Sequence, residues 1–153
     1  MRRAGAGVAA AIGTAGLIIT VVGTFLPWLH SGAVRRNSYA SFGTLRRLIG
    51  FHGVAELLVR AWPLLGAVTA AVVVVAATGL RRTAAVLGGL VAAWAAAVAG
   101  GALARDPVGI VGVELVGPIV TLIGATAVLG AAILALTSQV NLGREGSPRD
   151  RTA

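Results

Sequence analysis

Long runs without charge are the feature that most restricts how this sequence can fold. The run at residues 83–104, TAAVLGGLVAAWAAAVAGGALA, has no charged residue and no proline. As an α-helix it measures about 33 Å, enough to cross a bilayer core of about 30 Å. With three other runs it predicts an all-α membrane protein, a four-transmembrane-helix bundle, with spans at about residues 7–26, 63–80, 83–104 and 117–136.

The composition agrees with a membrane protein. The chain is 57% hydrophobic and 12% charged, its mean hydropathy is +0.90, and soluble domains average about 25% charged residues. We expect one transmembrane domain over residues 1–137, with a surface loop at 28–62. Residues 138–153 are polar and contain glycine and proline, so we expect a disordered tail.

Prolines, aromatic residues and arginines mark the ends of the predicted spans. Pro27 ends the first span, and Trp28 is expected in the aromatic belt at the membrane surface. Pro63 and Pro118 suit the first turns of the second and fourth helices. The arginines at 81–82 leave room only for a tight turn, which predicts an antiparallel hairpin of the second and third spans. The first run exceeds the roughly 7–15 apolar residues of a signal peptide, which favours a retained span.

All basic residues are arginines, and the net charge is +8. The arginines stand at the ends of apolar runs rather than on one basic face. We therefore expect them to contact lipid headgroups, and we expect no binding of nucleic acid. Seven lie on one predicted side and six on the other, so the positive-inside rule gives little bias. Because the first span usually dominates orientation, we expect a multi-pass protein of the bacterial inner (plasma) membrane with both termini in the cytoplasm.

Small residues recur at every fourth position of the third span. Such rows let helix backbones approach closely in lipid. We therefore predict that this helix is the centre of the bundle and packs through two rows, Gly88, Ala92, Ala96 and Gly100, and Gly89, Ala93, Ala97 and Gly101.

The loop at 28–62 permits two interpretations. The pairs at 31–32 and 37–38 are typical of turns or a helix N-cap. Apolar residues then recur at helical spacing in two short stretches, which predicts either two amphipathic helices on the membrane surface or a compact loop packed over the bundle. Anionic lipid headgroups or a protein partner are the expected ligands of its arginine pairs, Arg35, Arg36, Arg46 and Arg47. Residues 107–116 are expected to be a surface strand or loop, or an extension of the fourth helix.

One acid interrupts the last apolar run. Glu114 is a candidate for a proton or cation relay, although a helix start at 117–118 places it at the interface, where a structural or Arg-paired role is the alternative. His52 and Glu56 share a helix face but are too few for a zinc site. With no Cys, no nucleophile motif and no phosphate loop, we expect no enzyme, no metal and no cofactor.

Part of the sequence resembles a known group. The stretches 25–32 (FLPWLHSG), 36–39 (RNSY) and 45–48 (LRRL) resemble uncharacterised actinobacterial four-helix integral membrane proteins. The four-span layout, with a large first loop after a tryptophan, is similar to the claudin and peripheral myelin protein group. The paired cysteines and Trp-Gly-Leu-Trp type motif of that group are missing here. The resemblance implies a fold and no activity.

These observations predict a non-enzymatic membrane protein, a scaffold, assembly or accessory subunit of a bacterial membrane or envelope complex. Its expected partners are the lipid bilayer and a membrane protein or a second copy of the chain. The alternative is a small proton- or cation-coupled transporter or channel that uses Glu114.

Overall fold

The computed structural model describes residues 2–31, 33–42, 53–104 and 111–145. The all-α membrane fold predicted from the sequence is confirmed. Helices form over the apolar runs because a helix bonds its own backbone N–H and C=O groups, as hydrocarbon requires. Four helical stretches are long and apolar enough to cross a membrane, Gly7–Phe25, Glu56–Ala77, Arg81–Leu103 and Val116–Thr137.

The helices are numbered in chain order: α1 Arg2–Phe25, α2 Val54–Ala61, α3 Leu65–Ala77, α4 Arg81–Leu103 and α5 Val116–Glu145. A 3-10 turn, Trp62–Leu64, joins α2 to α3. It contains Pro63, whose missing N–H is accommodated by the turn. The second span therefore does not begin at Pro63 as predicted, because the proline tightens the helix without ending it. Helix α2 forms over the second stretch of helical spacing predicted in the loop, and it is part of the apolar stretch Glu56–Ala77.

A tight turn joins α3 to α4, and the predicted antiparallel hairpin is confirmed. Gly79 has a φ of 87°, in the left-handed region that glycine enters without steric cost. The hydroxyl of Thr78 donates to Val75 O at 2.8 Å. These contacts reverse the chain within three residues, Thr78 to Leu80.

The last helix is longer than the sequence predicts. Helix α5 continues to Glu145, into the stretch expected to be a disordered tail. The prediction was wrong for residues 138–145, because no proline stands there and one glycine costs a helix only about 1 kcal/mol. Residues 146–153 lie outside the described part of the chain.

The closest helix contact is between α1 and α5. A Cβ atom added at Gly16 would lie 2.9 Å from Gly124 O, and one added at Gly124 would lie 2.7 Å from Gly16 O. Farther along the interface, Gly23 is in similarly close contact with Thr121. Helix α5 contacts both α1 and α4 extensively. The third span, α4, which was predicted to be the centre of the bundle, contacts α1, α3 and α5 and supplies five residues of the buried core, Val91, Ala92, Ala95, Val98 and Ala99.

The small-residue rows of α4 are only partly buried. Gly88 and Ala92 of the first row are buried, whereas Ala93, Ala97 and Gly101 of the second row are exposed. A step of four residues advances the helix by about 40° beyond a full turn, so a row of fours rotates away from any one neighbour. The buried face follows steps of three and four instead, at Ala84, Gly88, Val91, Ala92, Ala95, Val98 and Ala99.

A small antiparallel sheet lies at the end of the bundle where α1 ends and α5 begins. Its strands are β1 Pro27–Ser31, β2 Val34–Asn37 and β3 Val111–Val113, in the order β2-β1-β3. The strand alternative for residues 107–116 is confirmed at β3, whereas β1 and β2 were not predicted. We call residues 27–42 and 111–115 the cap. It includes helical residues 38–42, in the first of the two stretches predicted to be helical, while residues 43–52 lie outside the described part of the chain.

Candidate functional site

Four aromatic side chains fill the junction between the cap and the helices. Trp62 packs edge-on against Phe42, Trp28 and Trp94, with ring centroids 5.5, 5.6 and 5.8 Å apart. Trp28 also packs against Phe42 at 5.8 Å. Edge-to-face pairs at these distances are each worth about 0.5–1.5 kcal/mol beyond area burial. We call these four residues the aromatic cluster.

The tryptophans of the cluster do not form a lipid-facing belt. Trp28 is 2% exposed and Trp62 is 0% exposed. The prediction for Trp28 was wrong because its ring is held over the first turn of α5, where any Cβ at Gly117 would overlap it. Trp94, on α4, packs against Trp62 and donates from Nε1 to Leu58 O in α2 at 3.3 Å.

A chain of hydrogen bonds connects α1, the cap and the start of the second span. Trp62 Nε1 donates to Ser38 Oγ at 2.9 Å, and Ser38 Oγ donates to Thr24 O at 2.7 Å. Trp28 Nε1 donates to Gly23 O at 2.9 Å. A buried indole N–H is costly unless bonded, and here every indole N–H of the cluster has an acceptor. These hydrogen bonds therefore fix the position of the cap relative to the membrane helices.

Ser38 was missed by reasoning from the sequence. It was considered only as part of a turn or N-cap, a function that Asn37 performs, since its Oδ1 accepts from Ala40 N at 3.0 Å. A signal was available in retrospect. A tryptophan at the start of an apolar span needs a polar acceptor, and small hydroxyl residues in the preceding loop can supply one.

Glu114 lies between β3 and α5. Its N–H donates to Trp28 O at 2.9 Å. Its Oε2 lies 3.6 Å from His30 Nδ1, and the two side chains are 24% and 44% exposed. The partner of this acid among the described residues is thus a histidine of β1. Arg46, Arg47 and Arg105 lie outside those residues, so the Arg-paired alternative stays a prediction.

The predicted arginine pairs are only partly within the structure. Arg35 and Arg36 lie exposed on strand β2. Arg46 and Arg47 lie outside the described residues. His52 does as well, and Glu56 instead pairs with Arg60, with 2.7 Å between Oε1 and Nη2. In the described part of the chain, no group of three or more His, Cys, Asp or Glu side chains could hold a metal ion.

Hydroxyl groups inside the bundle bond mainly to their own helix. Thr20 Oγ1 donates to Gly16 O at 2.8 Å and Thr121 Oγ1 to Gly117 O at 2.9 Å. Thr69 Oγ1, in α3, is buried without a partner. These threonines contribute volume and local bonds, which is how buried hydroxyls commonly serve in membrane helices.

No family model, curated protein or solved structure matches this chain. The resemblance to actinobacterial four-helix proteins therefore stays a prediction.

Proposed function

We propose that this protein is a non-enzymatic scaffold, assembly or accessory subunit of a bacterial membrane or envelope complex, and that its cap is the docking surface. The observation that carries the proposal is the rigid attachment of an exposed strand to the bundle. The aromatic cluster and the Trp62–Ser38–Thr24 hydrogen bonds hold the cap. Strand β2 lies at an edge of the sheet, and Val34 on it is 55% exposed.

The charge of β2 indicates the chemistry of the partner. Its two central residues, Arg35 and Arg36, are both exposed, so an acidic segment of a membrane protein is the complementary ligand. An edge strand can also extend its sheet by pairing with a segment of another chain. We propose such an acidic membrane-protein segment as the occupant.

Photo-crosslinking in intact membranes tests this proposal. A photoreactive residue at Val34 should give one discrete protein adduct, which charge reversal by Arg35→Glu with Arg36→Glu abolishes. The matched control is Arg81→Glu with Arg82→Glu, an adjacent exposed pair at the other end of the bundle, which should leave the adduct unchanged. An adduct that survives reversal at β2, or adducts with lipid alone, would contradict a protein-docking cap.

The proposed location is the bacterial inner membrane, with both termini in the cytoplasm and the cap outside. The chain has no cysteine, so single cysteines can be introduced into an otherwise unlabelled protein. Val34→Cys in the cap should react with a membrane-impermeant thiol reagent in whole cells. Thr83→Cys, exposed at the opposite end, should react only after lysis. The reverse pattern would invert the orientation.

The alternative proposal is a small proton- or cation-coupled transporter that uses Glu114. Its support is the pairing of this carboxylate with His30, an arrangement able to exchange protons. However, Glu114 precedes the fourth apolar stretch, which begins at Val116. Proton flux in liposomes that Glu114→Gln abolishes would favour transport over docking.

A further inference from the structure

One nitrogen of His30 is shielded although the ring is partly exposed. His30 Nδ1 is buried and has no hydrogen-bond partner. The ring lies directly against Gly112 of β3, where an added Cβ would overlap it. The nearest acceptor is Glu114 Oε2 at 3.6 Å, too long for a hydrogen bond and within the range of an ion pair.

The charge of the imidazole decides what this contact can contribute. A neutral ring can carry its proton on either nitrogen, so it places at most an uncharged N–H beside Glu114, at a distance too long for a hydrogen bond. A protonated ring places a positive charge next to Glu114. The charged ring thus adds an attraction between β1 and the segment before α5 that the neutral ring lacks.

The other charges around His30 are few among the described residues. Arg35 is its cross-strand partner on β2, so the two side chains lie on the same face of the sheet. Arg36 pairs with Leu29 and lies on the opposite face. The start of α5 adds positive dipole charge beside Glu114. Residues 105–110, with Arg105 and Asp106, lie outside the described part.

The contact joins two segments that are far apart in the sequence. Strand β1 follows α1 after only Leu26, and Glu114 is separated from α5 by only Leu115. The N–H of Glu114 already bonds to Trp28 O. Strengthening the contact from His30 therefore ties the end of α1 to the beginning of α5.

We propose that His30 and Glu114 form a proton-operated clasp that closes the β1–β3 side of the cap in mildly acidic conditions and loosens it in alkaline ones. A histidine side chain typically changes charge between about pH 5 and 8, whereas a glutamate stays ionised above about pH 5. A comparison of pH 5.5 with pH 8.0 therefore tests the clasp. The proposal concerns the fold itself and stands apart from the docking role.

A double-mutant cycle in lipid nanodiscs tests the clasp with the full-length chain. Melting temperatures are measured at pH 5.5 and 8.0 for wild type, His30→Gln, Glu114→Gln and the double variant. We expect a coupling between the two sites of about 2 °C at pH 5.5 and none at pH 8.0. His52→Gln is the matched control and should keep the coupling. Equal coupling at both pH values, or loss of the pH effect only in His52→Gln, would overturn the proposal.

Hydrogen exchange on the wild-type protein provides a test that needs no variant. After correction for intrinsic rates, the Glu114 amide should exchange severalfold more slowly at pH 5.5 than at pH 8.0. High salt should reduce this difference because exposed ion pairs are screened. An unchanged corrected rate across pH, or one insensitive to salt, would contradict the clasp.

Discussion

Replacement of Gly124 by alanine is the sharpest test of the α1–α5 contact. The new Cβ would lie 2.7 Å from Gly16 O and 2.5 Å from Thr20 N. Both are backbone atoms, so no side-chain rotation can relieve the clash. Heavy atoms pack at roughly 3.5 Å, so the helices must separate locally by about 1 Å.

The expected cost follows from this displacement. Overpacking by one methyl group costs about 1–3 kcal/mol, and replacing glycine by alanine within a helix returns up to about 1 kcal/mol. We expect Gly124→Ala to lower the free energy of unfolding by about 1–2 kcal/mol. The matched control is Gly130→Ala on the same helix, where an added Cβ has no heavy atom within 4 Å. That variant should be neutral or more stable.

Unfolding in mixed micelles with increasing sodium dodecyl sulfate, followed by tryptophan fluorescence, measures both variants. The chain has three tryptophans for the signal. The decisive quantity is the difference between the two alanine variants, because they make the same chemical change on the same helix. If Gly124→Ala unfolds at the same detergent fraction as Gly130→Ala, the close approach of α1 and α5 is not the main packing contact.

Three further outcomes follow from the cap and from α4. Trp62→Phe keeps an aromatic ring but removes the N–H that Ser38 accepts, and should lower the free energy of unfolding by about 1–2 kcal/mol in the same assay. Gly112→Ala should displace the ring of His30 and speed hydrogen exchange in β1 and β3, while leaving exchange in the helices unchanged. Ala93→Leu, on an exposed face, should change the unfolding free energy by less than about 0.5 kcal/mol, with a shift in oligomeric state as the sign that this face contacts a partner.

The positions of the first, third and fourth spans were predictable because hydrophobicity alone decides them, whereas the second begins at Glu56 rather than Pro63. Charges at 81–82 and the turn at Gly79 bound the third span within a few residues. The choice of helix partners was not predictable in the same way. Small residues recur on α1, α4 and α5 alike, and only the three-dimensional structure shows that Gly16 and Gly124 meet.

The cap illustrates a second limit of sequence reasoning. The β1 sequence, PWLHS, does not alternate apolar and polar residues, and β2, VRRN, is mostly polar. Neither pattern indicates a strand. Strand β1 also pairs with β3, which follows two intervening membrane spans. The position of Glu114 just before α5 was predictable from Pro118, but its neighbour His30 depends on that distant pairing.

The closest helix contact of the bundle is between its first span, α1, and its fourth span, α5. As ribosomal synthesis proceeds, α1 enters the lipid long before its main neighbour α5 has been made. Until then, the face of α1 that contacts α5, with Gly16, Thr20 and Gly23, is exposed to lipid or bound transiently by an insertase. Final assembly must therefore wait for the fourth crossing, and a nascent chain halted after α4 would hold its first helix only through weaker contacts.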